Sequence, residues 1–409
     1  MSQDSKLTLG VGMVGYTFMG ATHSHAWRNV SHVFDLPVTP EMTVVCGRDA
    51  EKVNAAARRL GWLSAETDWR RLVERDDVAL VDVCTPGDNH AEIAIAALEA
   101  GKHVLCEKPL ANTVEEAVAM TRAAERAARH GVRSMVGFNY RRVPALALAR
   151  EIVTAGRLGT IRHVRAQYLQ DWIVDPGFPL VWRLRRDRAG SGALGDIGAH
   201  IIDLAQFVTG ELLTGVSALT ETFVKERPMP SVAADGSVAP DAGQLGTVTV
   251  DDCALFISRL SGGGVAAFEA TRFASGRKNA IRLEINGSAG SLAFDFETMN
   301  ELSFYDHTEA PSTAGFRRIL VTESSHPYLN AWWPPGHGLG YDHTFIHEIR
   351  DFLVAVGRGD NPLPSFAEGL RVQQVLAAVE RSAARNGCWE EIDTAVSAAV
   401  DGDTASLLT

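Results

Sequence analysis

Residues 7–20 read LTLGVGMVGYTFMG, an apolar run that ends in a segment bounded by Gly15 and Gly20. The run over 7–14 is apolar along its whole length, the pattern of a strand covered on both faces. Residues 20–34 continue at helical spacing, so strand, glycine turn and helix follow in order. Gly15 suits the tight turn, and Gly20 lets helix and strand approach closely. Tyr16, Thr17, Phe18 and Met19 lie between them, with Thr17 where the usual fingerprint has its middle glycine. A helix that starts here offers backbone N–H groups and a positive dipole end to a pyrophosphate. The stretch predicts a dinucleotide site in a doubly wound fold.

The same rhythm continues outward. Short apolar strands at 42–46, 79–84, 103–106 and 133–138 alternate with helical stretches at 50–60, 89–100 and 113–129. Strands apolar on both faces, each followed by a helix, imply a parallel sheet between helical layers. After residue 142 the pattern changes. Helices are expected over 144–155 and 192–208, and a strand over 161–168. Longer strands are expected over 215–224, 252–260, 265–272, 280–286, 291–296 and 301–305, with closing helices over 342–356 and 366–385. The stretch SGGG, 261–264, reads as a hairpin turn. The expectation is an α/β chain of two domains. Residues 1–142 form a Rossmann doubly wound parallel sheet. Residues 143–409 form an α+β domain with a large, mainly antiparallel open sheet for substrate binding and oligomerisation. The Pro-, Ala- and Gly-rich segment 225–247 reads as a loop or arm.

Composition narrows the function. The 409 residues carry 39 basic and 50 acidic side chains, net −11, which disfavours a nucleic-acid surface. No apolar run is long enough for a membrane span, and the first ten residues lack a signal-peptide core, so a cytoplasmic chain is expected. The five cysteines form no C-x-x-C pair; Cys46, Cys84 and Cys106 end apolar runs and read as small buried hydrophobes.

The end of the second strand bears on the cofactor. NAD enzymes place an acid there for the ribose 2′-hydroxyl. This chain has CGRDA, with Gly47 at that position and Arg48 after it. A small residue followed by arginine tips the choice between NAD and NADP toward NADP, although Asp49 is within reach of a ribose.

Three later motifs sharpen the reading. TPGDNH spans 85–90, EKP spans 107–109, and GALGDIGAHIID spans 192–203. Together with the glycine turn they resemble the Gfo/Idh/MocA family of oxidoreductases. The stretches FNYRR (138–142), YLQDW (168–172), GSGALGDI (190–197) and HPY…WWP (326–334) are similar to a branch that oxidises the 3-hydroxyl of an anhydrosugar with NAD. The resemblance implies a catalytic set of Lys108, Asp196 and His200. It also implies a cofactor side that adds Thr85, Pro86, His90 and Glu107 to the glycine turn and to Gly47 and Arg48. It implies a sugar or cyclitol substrate, no resident metal, and a homodimer or homotetramer.

The residues themselves fit that chemistry. Oxidising a secondary alcohol requires loss of a hydride, loss of a proton and stabilisation of a developing alkoxide. Asp196 and His200 are four apart on an expected helix and share a face. Read alone they would be a helix N-terminal acid and a core histidine. Beside EKP they read as an orienting acid and a general base, with Lys108 polarising the hydroxyl. Asn139, Tyr140 and Arg141 end the last Rossmann strand, and Gln170 and Trp172 follow a strand of the second domain; all five are expected to contact substrate. Trp332 and Trp333 read as packing anchors ahead of sugar platforms. His343, His347 and Glu348 have metal-like spacing without an evident further ligand, so no metal is expected. Two other activities fit the same pattern: a glycosidase or glycoside 3-oxidase that uses the dinucleotide transiently, and a non-catalytic dinucleotide sensor.

Overall fold

The structure is a computed structural model that describes residues 7–232 and 238–393. The N-terminal unit runs β1 (Leu7–Val14), α1 (Phe18–Val33), β2 (Val38–Cys46), α2 (Ala50–Leu60), β3 (Ser64–Glu66), α3 (Trp69–Glu74), β4 (Leu80–Val83), α4 (His90–Glu99), β5 (His103–Glu107), α5 (Val114–Ala128) and β6 (Ser134–Gly137). The sheet order is β3-β2-β1-β4-β5-β6, all parallel. β1 is buried on both faces from Leu9 onward, and β4 throughout, as the unbroken apolar runs require. β3 and α3 were not expected; three residues give too little pattern to read as a strand. Helix ends follow local chemistry. Asp49 accepts the Lys52 N–H to cap α2, and Gly61, at φ 83°, closes it. Thr113 and Glu116 form a capping box on α5.

The second unit runs α6 (Pro144–Thr154), β7 (Ile161–Leu169), α7 (Arg186–Ala189), α8 (Ala199–Thr209), β8 (Leu213–Glu221), β9 (Glu226–Val232), β10 (Val238–Thr247), β11 (Cys253–Leu260), β12 (Val265–Thr271), β13 (Ala280–Gly287), β14 (Gly290–Asp295), β15 (Glu301–Asp306), β16 (Arg317–Leu320), α9 (Tyr341–Arg358), α10 (Phe366–Ala384) and β17 (Glu390–Glu391). Nine strands form one sheet in the order β16-β15-β14-β13-β7-β12-β11-β8-β17, antiparallel except for the β7–β12 pair. Alternation is clear on β11, where every second residue is buried. α6, α8 and α10 cover the buried face.

Two expectations on this half are corrected. The segment 225–247 is not simply a loop: β9 and β10 pair antiparallel as a ribbon outside the main sheet. Pairing there rests on backbone hydrogen bonds, which a Pro- and Gly-rich composition hides; residues 233–237 lie outside the described residues. The expected helix over 192–208 opens with a π turn, Leu194–Gly198, before α8.

A late helix returns to the first unit. α9 packs on α1, with Phe345, Ile349 and Phe352 joining the core that holds β1 and Trp27. Among the described residues no helix is long and apolar enough to cross a membrane.

Candidate active site

The glycine turn leaves no room for side chains. Gly15 has φ 105°, a region L-residues avoid, and a Cβ there would meet the Cys84 carbonyl at 2.6 Å. A Cβ on Gly20 would lie 2.2 Å from the Gly15 carbonyl oxygen. Thr17 stands at the N-cap of α1 but makes no side-chain cap, which leaves the first N–H groups of the helix unclaimed by it. Thr85 adds a second fitting feature: its buried Oγ1 has no hydrogen-bond partner. Both features suit a phosphate-bearing dinucleotide.

A cavity of about 770 Å³ opens from this turn toward the second unit. Thr17, Phe18, Met19, Thr85, Pro86, His90, Glu107 and Lys108 line it from the N-terminal side, and Asp196, His200, Gln170 and Trp172 from the other. Gly15 and Gly20 lie in the turn beneath. Tyr16, Gly47 and Arg48 are not among the lining residues. A Cβ on Gly47 would meet the Tyr16 ring at 2.0 Å, so the tyrosine occupies the space an acid would need. Asp49 caps α2 through Oδ1. His90 is buried, with Nδ1 3.0 Å from the Pro109 carbonyl and Nε2 2.9 Å from the Thr85 carbonyl. It ties the loops after β4 and β5 together.

Lys108, Asp196 and His200 converge from three segments. Lys108 Nζ donates to the Asp196 backbone carbonyl at 2.7 Å and lies 3.7 Å from its Oδ1. The fully buried Arg272 approaches Asp196 Oδ2 at 3.6 Å. Burial would raise the Asp196 pKa, but Lys108, Arg183 and Arg272 outweigh it and hold the carboxyl below its usual range. His200 stands between the rings of Phe138, Tyr140 and Tyr168, with the Tyr140 centroid 4.7 Å away. Burial, then the Lys108 charge, pushes its pKa well below the ordinary value, and its Nδ1 has no partner. The imidazole is therefore neutral at ordinary pH and able to accept a proton.

The helix that carries this pair is fixed from a distant loop. Asp251 accepts the N–H groups of Gly192 and Leu194 at 2.7 and 2.8 Å. A Cβ on Gly192 would lie 1.8 Å from the Asp251 carbonyl oxygen, so only glycine fits. Arg272 Nη2 donates to the same carbonyl at 3.0 Å, linking cap and catalytic acid. The sequence offered no sign of this, because Asp251 lies some 60 residues downstream in an unremarkable Asp-Asp pair.

The expected substrate contacts divide. Asn139, Tyr140, Gln170 and Trp172 line the cavity. Tyr140 and Tyr168 close a three-membered ring with Asn279: Tyr168 Oη donates to Asn279 Oδ1 at 2.6 Å, and Asn279 Nδ2 donates to Tyr140 Oη at 3.1 Å. The two hydroxyls are 2.9 Å apart. Gln170 donates to Asn279, and Trp172 to Gln170. Arg141 is the correction. The 3-10 turn after β6 (Asn139–Arg142) rotates it away from the cavity, where it pairs with both oxygens of Asp203 at 2.8 and 2.5 Å and with Glu368 at 2.8 Å. Sequence reasoning gave no role to Arg183, Asn279 or Tyr168, which also line the cavity; Tyr168 opens the YLQDW stretch, whereas Arg183 and Asn279 lie in no motif. Trp332 packs beside His343 and His347 and donates to His347 Nε2 at 2.8 Å, while His347 Nδ1 contacts the Arg142 carbonyl. Both nitrogens of His347 are thereby engaged within the protein.

Comparison with known proteins shows the family. An oxidoreductase-family model for an NAD-binding Rossmann fold matches residues 9–138. A model of the Gfo/Idh/MocA C-terminal domain matches residues 146–293. The chain belongs to the Gfo/Idh/MocA family. It is an NAD(P)-dependent oxidoreductase of the sugar-dehydrogenase type, acting on a carbohydrate or polyol. Levoglucosan dehydrogenase of Pseudarthrobacter phenanthrenivorans is 42% identical over 388 residues, covering 94% of this chain and 98% of that protein. A solved oxidoreductase domain protein from Kribbella flavida is 64% identical, with a TM-score of 0.90, covering 95% of this chain and 100% of the other. A levoglucosan dehydrogenase in complex with NADH and L-sorbose aligns at 41% identity and a TM-score of 0.89, covering 95% and 99%.

Proposed function

We propose that this Gfo/Idh/MocA enzyme oxidises a secondary hydroxyl, at C3, of an anhydrosugar, sugar or cyclitol. The observation that carries the reading is the 2.7 Å contact of Lys108 with the Asp196 segment, one helical turn from the neutral His200. Lys108 donates a hydrogen bond to the reacting oxygen and stabilises the charge that develops there, and Asp196 orients that ammonium. His200 takes the hydroxyl proton, directly or by way of Lys108. A bound nicotinamide supplies the acceptor for the carbinol hydride. Thr17 to Met19, Thr85, Pro86 and Glu107 would hold it, with His90 fixing the loops around it. Asn139, Tyr140, Gln170 and Trp172 would meet the remaining hydroxyls and C–H faces of the sugar.

Residues 1–142 form the dinucleotide-binding unit in this reading and 143–409 the substrate and oligomerisation unit, with α9 lent back to the first. Exposed Arg48 and small Gly47 support NADP, while the levoglucosan dehydrogenase relatives were solved with NADH. The outer face of the nine-stranded sheet carries exposed Leu219 and Ile257 and supports a homodimer or homotetramer. The chain is placed in the cytoplasm. The test is an assay of levoglucosan, monosaccharides and inositols with NAD and NADP separately, following reduced nicotinamide. Net reduction with levoglucosan or a related sugar is expected. Release of an aglycone without net reduction would overturn the dehydrogenase reading.

A further inference from the structure

A second charged cluster lies behind the Glu107–Lys108 turn, and none of the roles above uses its His23 or Asp82. His23, on α1, is fully buried. Its Nδ1 is 2.9 Å from Asp82 Oδ2 on β4, and its Nε2 is 3.0 Å from Glu107 Oε1 at the end of β5. A neutral imidazole has one N–H and can donate to one carboxylate only. Two carboxylates on its two nitrogens require one more proton in the group.

The surrounding donors decide where that proton sits. Asp82 also receives Trp27 Nε1 at 2.7 Å and the Cys84 thiol at 3.4 Å, so it accepts from three groups. The second oxygen of Glu107 accepts the backbone N–H of Lys108 at 3.0 Å, so both of its oxygens are engaged within the protein. The proton belongs to His23. Burial opposes an imidazolium, but the Asp82 charge outweighs burial and holds the His23 pKa well above its ordinary value. From α9, Tyr341 and Glu348 also face the cluster, and Arg142 lies near Glu348. Burial pushes the Glu348 carboxyl up to about 8, so it is neutral at pH 7. The cluster of Asp82, His23 and Glu107 then carries one net negative charge.

We propose that His23 is a positioning residue for the Glu107–Lys108 turn, supplying the counter-charge that keeps Glu107 an ionised, fixed wall of the cofactor cavity. Glu107 lines that cavity beside Lys108. The proposal rests on the hydride-transfer reading, because the reacting nicotinamide must stand next to the hydroxyl that Lys108 holds. An oxidised nicotinamide ring is cationic and a reduced one is neutral. A fixed carboxylate at this wall therefore favours the oxidised cofactor over the reduced one. Without His23, Glu107 faces Asp82 with no intervening cation, and its carboxylate loses the partner that fixes it at that wall.

The experiment measures dissociation constants for the oxidised and reduced dinucleotide by fluorescence titration, without substrate, at about pH 6 and about pH 8. In the unaltered protein the ratio of the two is expected to be the same at both values. In His23→Gln the oxidised form should weaken against the reduced form by about tenfold at both pH values. In the double variant His23→Gln, Glu107→Gln the ratio should match that of Glu107→Gln alone, because His23 acts through Glu107. Glu107→Gln alone, whose site opens to the cavity, should lower the preference for the oxidised form by about tenfold at both pH values. This arm stands if His23→Gln does not fold. A His23→Gln protein with the unaltered ratio at both pH values overturns the proposal, as does a Glu107→Gln protein that keeps the full preference. Unaltered protein that binds neither form overturns the dinucleotide reading itself and the proposal with it. Unaltered protein that binds both but oxidises no sugar overturns the reaction reading, while the ratios still decide the role of His23.

Discussion

The clusters in front of and behind the Glu107–Lys108 turn use the same chemical groups in opposite ways. In front, the Lys108 and Asp196 side chains keep 14% and 26% of their exposure, and their charges stand 3.7 Å apart. Behind, His23 and Asp82 have none, and the contacts close to 2.9 and 3.0 Å. Loose, part-open ion pairs can exchange a partner for a substrate hydroxyl at little cost. Closed pairs cannot, because separating a buried charge from its partner costs several kcal/mol. The front cluster is built to change during a reaction and the rear one to stay as it is. Histidine shows the contrast most clearly: His200, with no acid partner on its ring, is held neutral, whereas His23, between two acids, is held charged.

Removing the front base should have the largest effect. His200→Ala is expected to lower kcat by about 10²–10⁴-fold while cofactor affinity changes little. Because burial and Lys108 depress the His200 pKa, kcat/KM of the unaltered enzyme should show no loss from this group as pH falls through about 6.5. An acid limb centred there and absent in the variant would mean the imidazole titrates normally.

Next comes a closed pair outside the site. Arg141→Leu leaves Asp203 buried without its bidentate partner and is expected to cost about 3–5 kcal/mol of stability. In protein that remains folded, KM for the sugar should stay within about threefold of the unaltered value, since a contact outside the cavity contributes no binding energy to substrate. A large rise in KM with unchanged melting would restore Arg141 as a substrate contact.

Glu348 gives the smallest change and the cleanest sign. Its pKa is raised by burial from 4.5 to about 8, so between those values the folded state holds a proton the unfolded state has released. Stability from this group is complete below about pH 4.5 and is lost as pH rises to about 8. Glu348→Gln should match the unaltered protein near pH 4.5 and melt higher near pH 8. Equal melting curves at both values would show that the carboxyl is solvated.

Most of the N-terminal unit was legible, because strands covered on both faces must be continuous apolar runs and the glycines at 15 and 20 answer a steric demand that nothing else meets. The EKP and D-x-x-x-H residues were legible as a family pattern, and they do meet in one cavity. Arg141 was misread because its place after a strand end does not show which way the side chain turns, and the turn at 139–142 carries it to Asp203. Asp251 and Arg272 were invisible because their work is done across 55 residues or more of chain, on a helix end and on Asp196. The ribbon β9–β10 was hidden because its backbone bonds leave no apolar pattern.

The measurement that tests the account most directly is the rate of reduced-nicotinamide formation by Lys108→Met, set beside its cofactor affinity and melting temperature. The account predicts a kcat lower by about 10²–10³-fold, with folding intact and dinucleotide binding within about threefold, because the ammonium is needed for the oxyanion and not for the fold. A Lys108→Met enzyme that keeps near-normal kcat on the sugar it oxidises would contradict it.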